Sequence, residues 1–572
     1  MRIGLLTEGG YPYVSGDASP WCDRLVRGLA QHEFDVYALG RSERQEDEGW
    51  LLLPSQVRRV RTAPLWAAEG DGVAYGRRAR RQFAECYGEL AAVLCAGAAA
   101  EGDRASERSD GSSAALADRF ASALYGLAEL AREEGGLVGA LRSETAVRAL
   151  ERACHAPGAL RTAHEARVPD LLAIAAHLEH ALRPLSLDWY EDDGLGSVDL
   201  CHAASGGAAA LPGLLARHFT GVPLLVTEYG VRLRTHYLAA TDSSPAVRSL
   251  LAAFHGRLAA EIYRQAAYIT PGNAHARRWQ ERCGADRTKL RTVYPGMDAS
   301  PFAEVGESPE RAAPDTLVWV GRIEPVKDLV SLLHAFAEIR KEEPGTRLRI
   351  VGAPGGPEGS AYLTHCKALA AQLFPDEADG PHAVGDNPVS FEEIGGPETP
   401  TLADAYASGA VIVLSSVVEG FPISLVEAMF CGRATVSTDV GAVVEVIGGT
   451  GLVVPPRNPR ALAEACVALL RDPERRERLG AAARARALEL FTVEQNITAF
   501  HSIYLDIVSH CPDRRAALDD TGDPLPFAVP AEAHVPGRWT AAASRMVARG
   551  GPGWAAGPPV RATRVPAAEA VR

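Results

Sequence analysis

Short runs of β-branched and other apolar residues recur along the chain, each followed by a loop bearing Gly or Pro and then by apolar positions at helical spacing. Residues 2–7 (RIGLLT) are the first such run; a loop of Gly, Pro and Tyr follows, residues 20–32 have the spacing of a helix, and residues 35–39 read as the next strand. The pattern resumes at residues 198–201, 223–226, 268–270 and 290–293, and again at 316–320, 348–351, 389–391, 411–414, 435–437 and 452–454. Strands that alternate with helices predict doubly wound parallel sheets. Residues 75–185 carry Ala, Leu, Arg and Glu at helical spacing with few strand signals, which predicts a helical insertion in the first domain. Within it the polar stretch EGDRASERSDGSS, residues 101–113, is expected to be a mobile loop. A polar segment at 303–314, with Pro309 and Pro314, predicts the linker between domains. After Pro459 helices follow without strands, and beyond Cys511 the Pro-, Gly- and Ala-rich chain loses periodic hydrophobicity, so a disordered tail is expected there.

Composition narrows the class. A chain of 572 residues exceeds what one core usually holds, so two domains are expected. No stretch approaches about 20 uninterrupted apolar residues, and the start MRIGLLTEGG turns polar too soon for a signal peptide. The expected location is cytoplasmic, with membrane contact only through a partner. Ten cysteines are scattered with no C-x-x-C pair, and Cys431 and Cys466 fall in apolar helical patterns. They read as reduced core thiols and not as a metal site or disulfide framework. A net charge of −13 excludes a general nucleic-acid binder, whose footprint is basic, while leaving room for a local basic cleft.

Candidate chemistry begins with Glu419 and Glu427, eight residues apart in VVEGFPISLVEAMFCG. Pro422 fits the first position of a helix, so Glu419 precedes the helix and Glu427 lies about one turn inside it. Two carboxylates beside the free N–H groups of a first turn suit a polyhydroxylated ligand that carries an anion, such as a sugar nucleotide. The spacing alone equally fits a loop carboxylate and a solvated helix face. Upstream, TLVWVGRIEPVKDLVSLLHAFAEI reads as a strand, a turn at Gly321 and a helix opening near Lys327. Arg322 and Lys327 then lie at the carboxyl end of a strand, where open α/β sheets bind ligands, and two cations there make a diphosphate site. Arg grips phosphate oxygens bidentately, whereas Lys supplies a compact charge. Singly such cations are surface charges; with the glutamates they form a set.

The G-R-x4-K and E-x7-E elements, in this order and followed by ATVSTDVGAVVEVI and GLVVPPRNPRALAEA, resemble the donor half of the family-4 retaining glycosyltransferases. The N-terminal MRIGLLTEGGYPYVSG, DLCHAASGG and VTEYGV are most similar to the PelF-type branch, and the resemblance covers roughly residues 1–40 and 195–505. It implies an α/β chain of GT-B fold: two Rossmann-like doubly wound domains facing a cleft, with the helical insertion in the first. The expected boundaries are 1–305 for the acceptor-side domain, 306–492 for the donor domain, 493–510 for a helix crossing back to the first domain, and 511–572 for the tail.

The resemblance also implies roles. Arg322, Lys327 and Glu419 are the expected catalytic residues; the two cations stabilise the leaving diphosphate without a divalent metal or other cofactor. Glu427 accepts both ribose hydroxyls, a bidentate contact natural to a carboxylate. Glu419, with the segment Gly420, Phe421, Pro422 and Ile423, holds the donor sugar, and Gly321 lies beside the diphosphate. In the first domain Gly16 lets the loop 9–16 approach the diphosphate. Two departures from the pattern appear: a Gly-Gly pair is replaced by Gly16–Asp17, where Asp17 reads as a helix cap, and the usual histidine after the T-E strand end is Tyr229. His202, Glu228 and Tyr229 are the candidates for the acceptor or sugar subsite, His202 being equally readable as a structural hydrogen-bonder. Asp192 and Asp193 in WYEDDG follow no strand and read as a solvated loop, not a metal pair. No far-face nucleophile is identifiable, and the resemblance implies a same-face substitution in which the leaving phosphate helps deprotonate the incoming hydroxyl. The expected function is transfer of a hexose, from UDP-glucose foremost, to an exported polysaccharide or cell-envelope glycan. The alternatives are a sugar-nucleotide epimerase of the same fold, for which acid/base residues around the sugar ring are not found, and a nucleotide-sugar-binding scaffold docked on membrane export proteins.

Overall fold

The computed structural model describes residues 1–14, 19–66, 72–96, 106–191, 193–239, 243–307, 312–375, 387–397 and 399–511, with the backbone alone over 106–113. Gly16, Asp17, Asp192, part of the 101–113 stretch and residues 512–572 lie outside the described residues.

Among the described residues twelve strands form two parallel six-stranded sheets. The first contains β1 (Arg2–Glu8), β2 (Glu33–Gly40), β3 (Val57–Pro64), β4 (Leu200–Ala203), β5 (Leu224–Glu228) and β6 (Tyr268–Pro271), in the order β3-β2-β1-β4-β5-β6. The second contains β7 (Ala313–Val320), β8 (Arg347–Val351), β9 (Val389–Glu392), β10 (Gly409–Leu414), β11 (Ala434–Thr438) and β12 (Leu452–Val454), in the order β12-β11-β10-β7-β8-β9. Both orders reverse direction beside their first strand, which is the topological switch point where such sheets bind ligands at their carboxyl edge.

Alternation along β1 sends its side chains to two cores. Leu6 joins Tyr37, Cys201 and Val226 on one face, packed under the helices of the insertion through Phe83, Tyr87, Leu124 and Leu178. These helices run from Arg77–Cys95 to Val168–Leu182. Ile3 and Leu5 face the other side, with Trp21 of the helix Ser19–Gly28 and with Phe500, Tyr504 and Ile507 of the last described helix, Val493–His510. The chain therefore ends its described course on the sheet with which it began. The second sheet buries Leu317, Trp319, Ile350, Val411 and Val436 against helices including Leu329–Glu342 and Pro459–Leu470.

Two expectations change. Strand β3 is absent from the sequence reading because VRRVRTAP carries three arginines; it is an edge strand whose Arg58 and Arg61 pair with Glu33 and Asp188, the usual protection of an exposed edge. The strand expected at 290–293 is not one. Arg291 and Val293 donate to the carbonyls of Ile269 and Pro271, but after Pro295 the chain turns away and Met297 exchanges hydrogen bonds with Phe491 and Val493. Phe302 and Val305 pack with Val318, Tyr406 and Phe430.

Candidate active site

The site is built at the carboxyl ends of β7 and β10. Beyond β7 a tight 3-10 turn, Pro325–Lys327, precedes Asp328, whose left-handed φ of 49° and side chain, accepting from Ser331 N at 3.2 Å, start the helix Leu329–Glu342. The helix thus opens two residues after Lys327. This turn is stitched to the end of β10 by Val417 N donating to Val326 O at 2.9 Å and by Ser415 Oγ donating to Lys327 O at 2.7 Å. Lys327 Nζ lies 2.5 Å from Glu419 Oε1, and Ser416 Oγ donates to the same oxygen at 2.8 Å. The loop behind them is fixed by Gly441: at its φ of 58° a Cβ would stand 2.4 Å from Glu419 O, so the two backbones touch where a side chain does not fit.

Pro422 occupies the cap position and the helix runs Ile423–Phe430, one residue later than expected. Pro422 has no N–H, and that of Ile423 donates to Phe421 O at 3.0 Å, so the donor groups expected at Phe421–Ile423 are fewer than the sequence suggested. Phe421 packs edge-on to Phe491, centroids 5.7 Å apart. Glu427 is half-buried inside the helix, and its Oε2 accepts from the buried Tyr406 hydroxyl at 2.7 Å. Burial pushes its carboxyl above the usual range, and the Tyr406 hydrogen bond pulls in the opposite direction.

Lys327 and Glu419 are therefore in direct contact, with Gly420 next to them and Glu427 along the following helix. Arg322 stands apart: its side chain is 68% exposed and loosely paired with Glu324 at 3.5 Å. Gly321 is pressed against β8's end, where a Cβ on Gly352 would lie 1.8 Å from Gly321 O.

The first half corrects the subsite candidates. His202 does not line the cleft. It is fully buried, with Nδ1 2.7 Å from Tyr504 Oη and Nε2 2.7 Å from Thr227 Oγ1, and burial lowers its pKa to about 3. Glu228 is also sealed: the Tyr263 hydroxyl donates to it, as do Arg232 N at 3.4 Å and Gln280 Nε2 at 3.5 Å, while burial raises its pKa. A carboxylate so engaged is a structural anchor and not a far-face nucleophile. Tyr229 is partly buried with its ring against Trp21, centroids 5.4 Å apart, and its hydroxyl accepts from Asn496 of the last helix at 3.4 Å. Asp193 offers its backbone carbonyl to Arg59 at 2.5 Å. Among the described residues no three His, Cys, Asp or Glu side chains converge as metal ligands.

Sequence reasoning missed the groups that join the halves. Arg234 Nη2 donates to Glu419 O at 3.2 Å, and Glu445 accepts from Ala274 N at 2.6 Å and from the Tyr294 hydroxyl at 2.9 Å. It also missed Glu8, a buried strand-end carboxylate 3.1 Å from Arg41 Nε and 3.6 Å from Arg232. Only position at strand and helix ends could have marked them.

Comparison with known proteins agrees with this frame. Residues 1–288 match the family described as a domain of unknown function (DUF3492), and residues 314–472 match the glycosyl transferases group 1. The D-inositol 3-phosphate glycosyltransferase of Kineococcus radiotolerans is 34% identical over 222 residues, 36% of this chain and 49% of that protein. The protein of the same name from Kribbella flavida is 31% identical over 285 residues, 47% of this chain and 63% of that protein. The chain thus spans about half to two thirds of the length of these curated relatives. Two solved structures share the fold: HepE of Anabaena in complex with UDP (TM-score 0.50, 15% identity, 88% of this chain and 99% of that one) and sucrose-phosphate synthase of Thermosynechococcus elongatus (0.51, 16%, 89% and 100%). Since the first match takes in half of its 572 residues, the chain belongs to the DUF3492 family, with a GT-B fold and a second half of the glycosyl transferases group 1 class.

Proposed function

We propose that the protein is a retaining glycosyltransferase that moves a hexose from a nucleoside-diphosphate sugar, UDP-glucose foremost, to a growing exopolysaccharide or cell-envelope glycan. The observation that carries this reading is the Lys327–Glu419–Ser416 cluster at the carboxyl ends of β7 and β10, followed directly by the helix that carries the half-buried Glu427. Fixed positive charge there stabilises a leaving diphosphate, Lys327 directly and Arg322 by swinging in from its exposed position. Glu427 takes the ribose hydroxyls and Glu419 the donor sugar. The printed names of the relatives, glycosyltransferases, and the UDP held by HepE support a sugar-nucleotide donor. With Glu228 bound by Tyr263 and Gln280, this strand-end carboxylate of the first half is not available for double displacement, which favours a same-face substitution with the departing phosphate as base.

The PelF-type assignment, the domain boundaries given above, a cytoplasmic location and peripheral association with membrane export proteins belong to the same proposal. No helix among the described residues is long and apolar enough to cross a membrane. The test is turnover of radiolabelled UDP-glucose alongside UDP binding by the full chain. Binding with transfer supports the enzyme; binding without transfer under any acceptor tried points to the scaffold alternative.

A further inference from the structure

The first half's lip of the cleft carries cations that the donor chemistry does not use. Arg234, on the helix Arg232–Ala239, reaches the carbonyl of Glu419 at 3.2 Å. His275, Arg278 and Arg282 lie three and seven residues along one face of the helix Ala274–Arg282, whose first N–H is bonded to Glu445 of the second half. These groups are close enough to repel: burial, followed by the positive charges of Arg234, Arg278 and Arg282, holds the His275 imidazole below its usual range.

The charge of Glu419 reaches Arg234, but that carboxylate is already paired with Lys327. Nε2 of His275 is sealed from solvent and has no hydrogen-bond partner. Among the described residues no carboxylate forms an ion pair with any of the four. Glu281 on the same helix is taken by Arg277 and Arg287, Glu419 by Lys327, and Glu445 by Ala274 and Tyr294. Beside the cations, the Arg282 guanidinium lies 5.4 Å from the Trp279 ring centroid, and Trp279 is 6.3 Å from the ring of the exposed Tyr237. In a chain of net charge −13, these cations form a locally basic strip that begins at the loop of Glu419. The exposed guanidiniums of Arg278 and Arg282 are placed to meet an anion carried by a ligand.

We propose that Arg234, His275, Arg278 and Arg282 bind an anionic group, carboxylate or phosphate, carried by the sugar acceptor. Arg234, touching the loop of Glu419, takes the charge nearest the transferred sugar. Arg278 and Arg282 continue the strip for about 10 Å along the helix, and Tyr237 and Trp279 present apolar ring faces to the acceptor's sugars. This rests on the glycosyltransferase reading of the cleft, but its test does not need turnover.

The full chain is titrated calorimetrically with hexagalacturonate, with glucose 6-phosphate and with neutral maltohexaose. At least one anion is expected to bind and the neutral sugar to bind more weakly. Affinity for that anion should fall at least tenfold in Arg278→Gln/Arg282→Gln and in Arg234→Gln, with partial recovery in Arg234→Lys, the unfolding midpoint of each variant serving as the control on folding. Which anion binds names the acceptor's charge. The proposal is overturned if neither anion binds, if the neutral sugar binds as well as the anions, or if the folded variants keep wild-type affinity. UDP titration of the same wild-type preparation separates the two readings, since absence of UDP binding contradicts the donor site alone.

Discussion

The ammonium of Lys327 and the carboxylate of Glu419 are 2.5 Å apart, with side chains only 20% and 10% exposed. The cation proposed for the diphosphate is thus held by the carboxylate proposed for the sugar. Changing either one shifts the other, because a shielded charge left without its partner is costly.

Lys327→Ala and Arg322→Ala are each expected to slow transfer by roughly ten- to a hundredfold, from about 1.5–3 kcal/mol per charge-assisted contact and about 1.4 kcal/mol per tenfold in rate. They should differ in stability. Lys327→Ala strands Glu419 and lowers the unfolding midpoint, whereas Arg322, with its side chain 68% exposed, is replaced without loss. Single-turnover rates and thermal melts of both variants check this, and unchanged rates in both contradict the diphosphate assignment.

The pH dependence of donor binding follows from Glu427, whose folded-state pKa is raised by burial against the opposing Tyr406 hydrogen bond. A raised carboxyl favours the folded state when protonated, below its folded pKa, and that gain is lost as pH rises through it. Ribose binding needs the ionised form, so the opposite holds for the ligand. Affinity for UDP-glucose should fall as pH drops through a midpoint above the ordinary carboxylate range, and Glu427→Gln should flatten that limb. An unchanged limb in the variant assigns it to another group.

His202 links the last helix to the first sheet, and Tyr504→Phe should cost about 1–3 kcal/mol by leaving one of its ring nitrogens without a partner. Since burial holds the folded His202 pKa near about 3 while the unfolded value is about 6.5, its neutral form stabilises the fold above 6.5, and this is lost as pH falls from 6.5 towards 3. The slope of unfolding free energy across that window should be smaller in His202→Asn. Ending the chain before Val493, which removes Phe500, Tyr504 and Ile507 from the first core, should abolish cooperative unfolding of the first half.

Transfer should be insensitive to EDTA if, as proposed, the side chains of Lys327 and Arg322 supply the positive charge at the diphosphate. Loss of activity in chelator, restored by manganese or magnesium, contradicts this.

Much of the frame was legible because parallel strands such as β4, β5, β10 and β11 are buried along their whole length and rich in apolar and β-branched residues. β3 was not, since an edge strand is polar by necessity. That Lys327 and Glu419 lie in one region was readable because both follow the end of a strand, whereas their direct contact was not. The fates of His202 and Glu228 were hidden: their partners Tyr504, Thr227, Tyr263 and Gln280 are up to 302 residues distant, and nothing local separates a strand-end side chain that turns into the core from one that faces the cleft. The closure contacts of Arg234 and Glu445 depend on how the halves meet, which no spacing within either half reports.

The most direct test of the donor site is calorimetry with UDP on Glu427→Gln and Glu419→Gln, followed by a transfer assay on both. If Glu427 holds the ribose, Glu427→Gln weakens UDP and UDP-glucose together, because an amide replaces a charged acceptor pair with a weaker acceptor and a donor. Glu419→Gln leaves UDP affinity close to wild type while transfer falls, because its contact lies beyond the phosphates. Equal loss of UDP affinity in the two variants, or no loss in either, contradicts the division of the donor between these two glutamates.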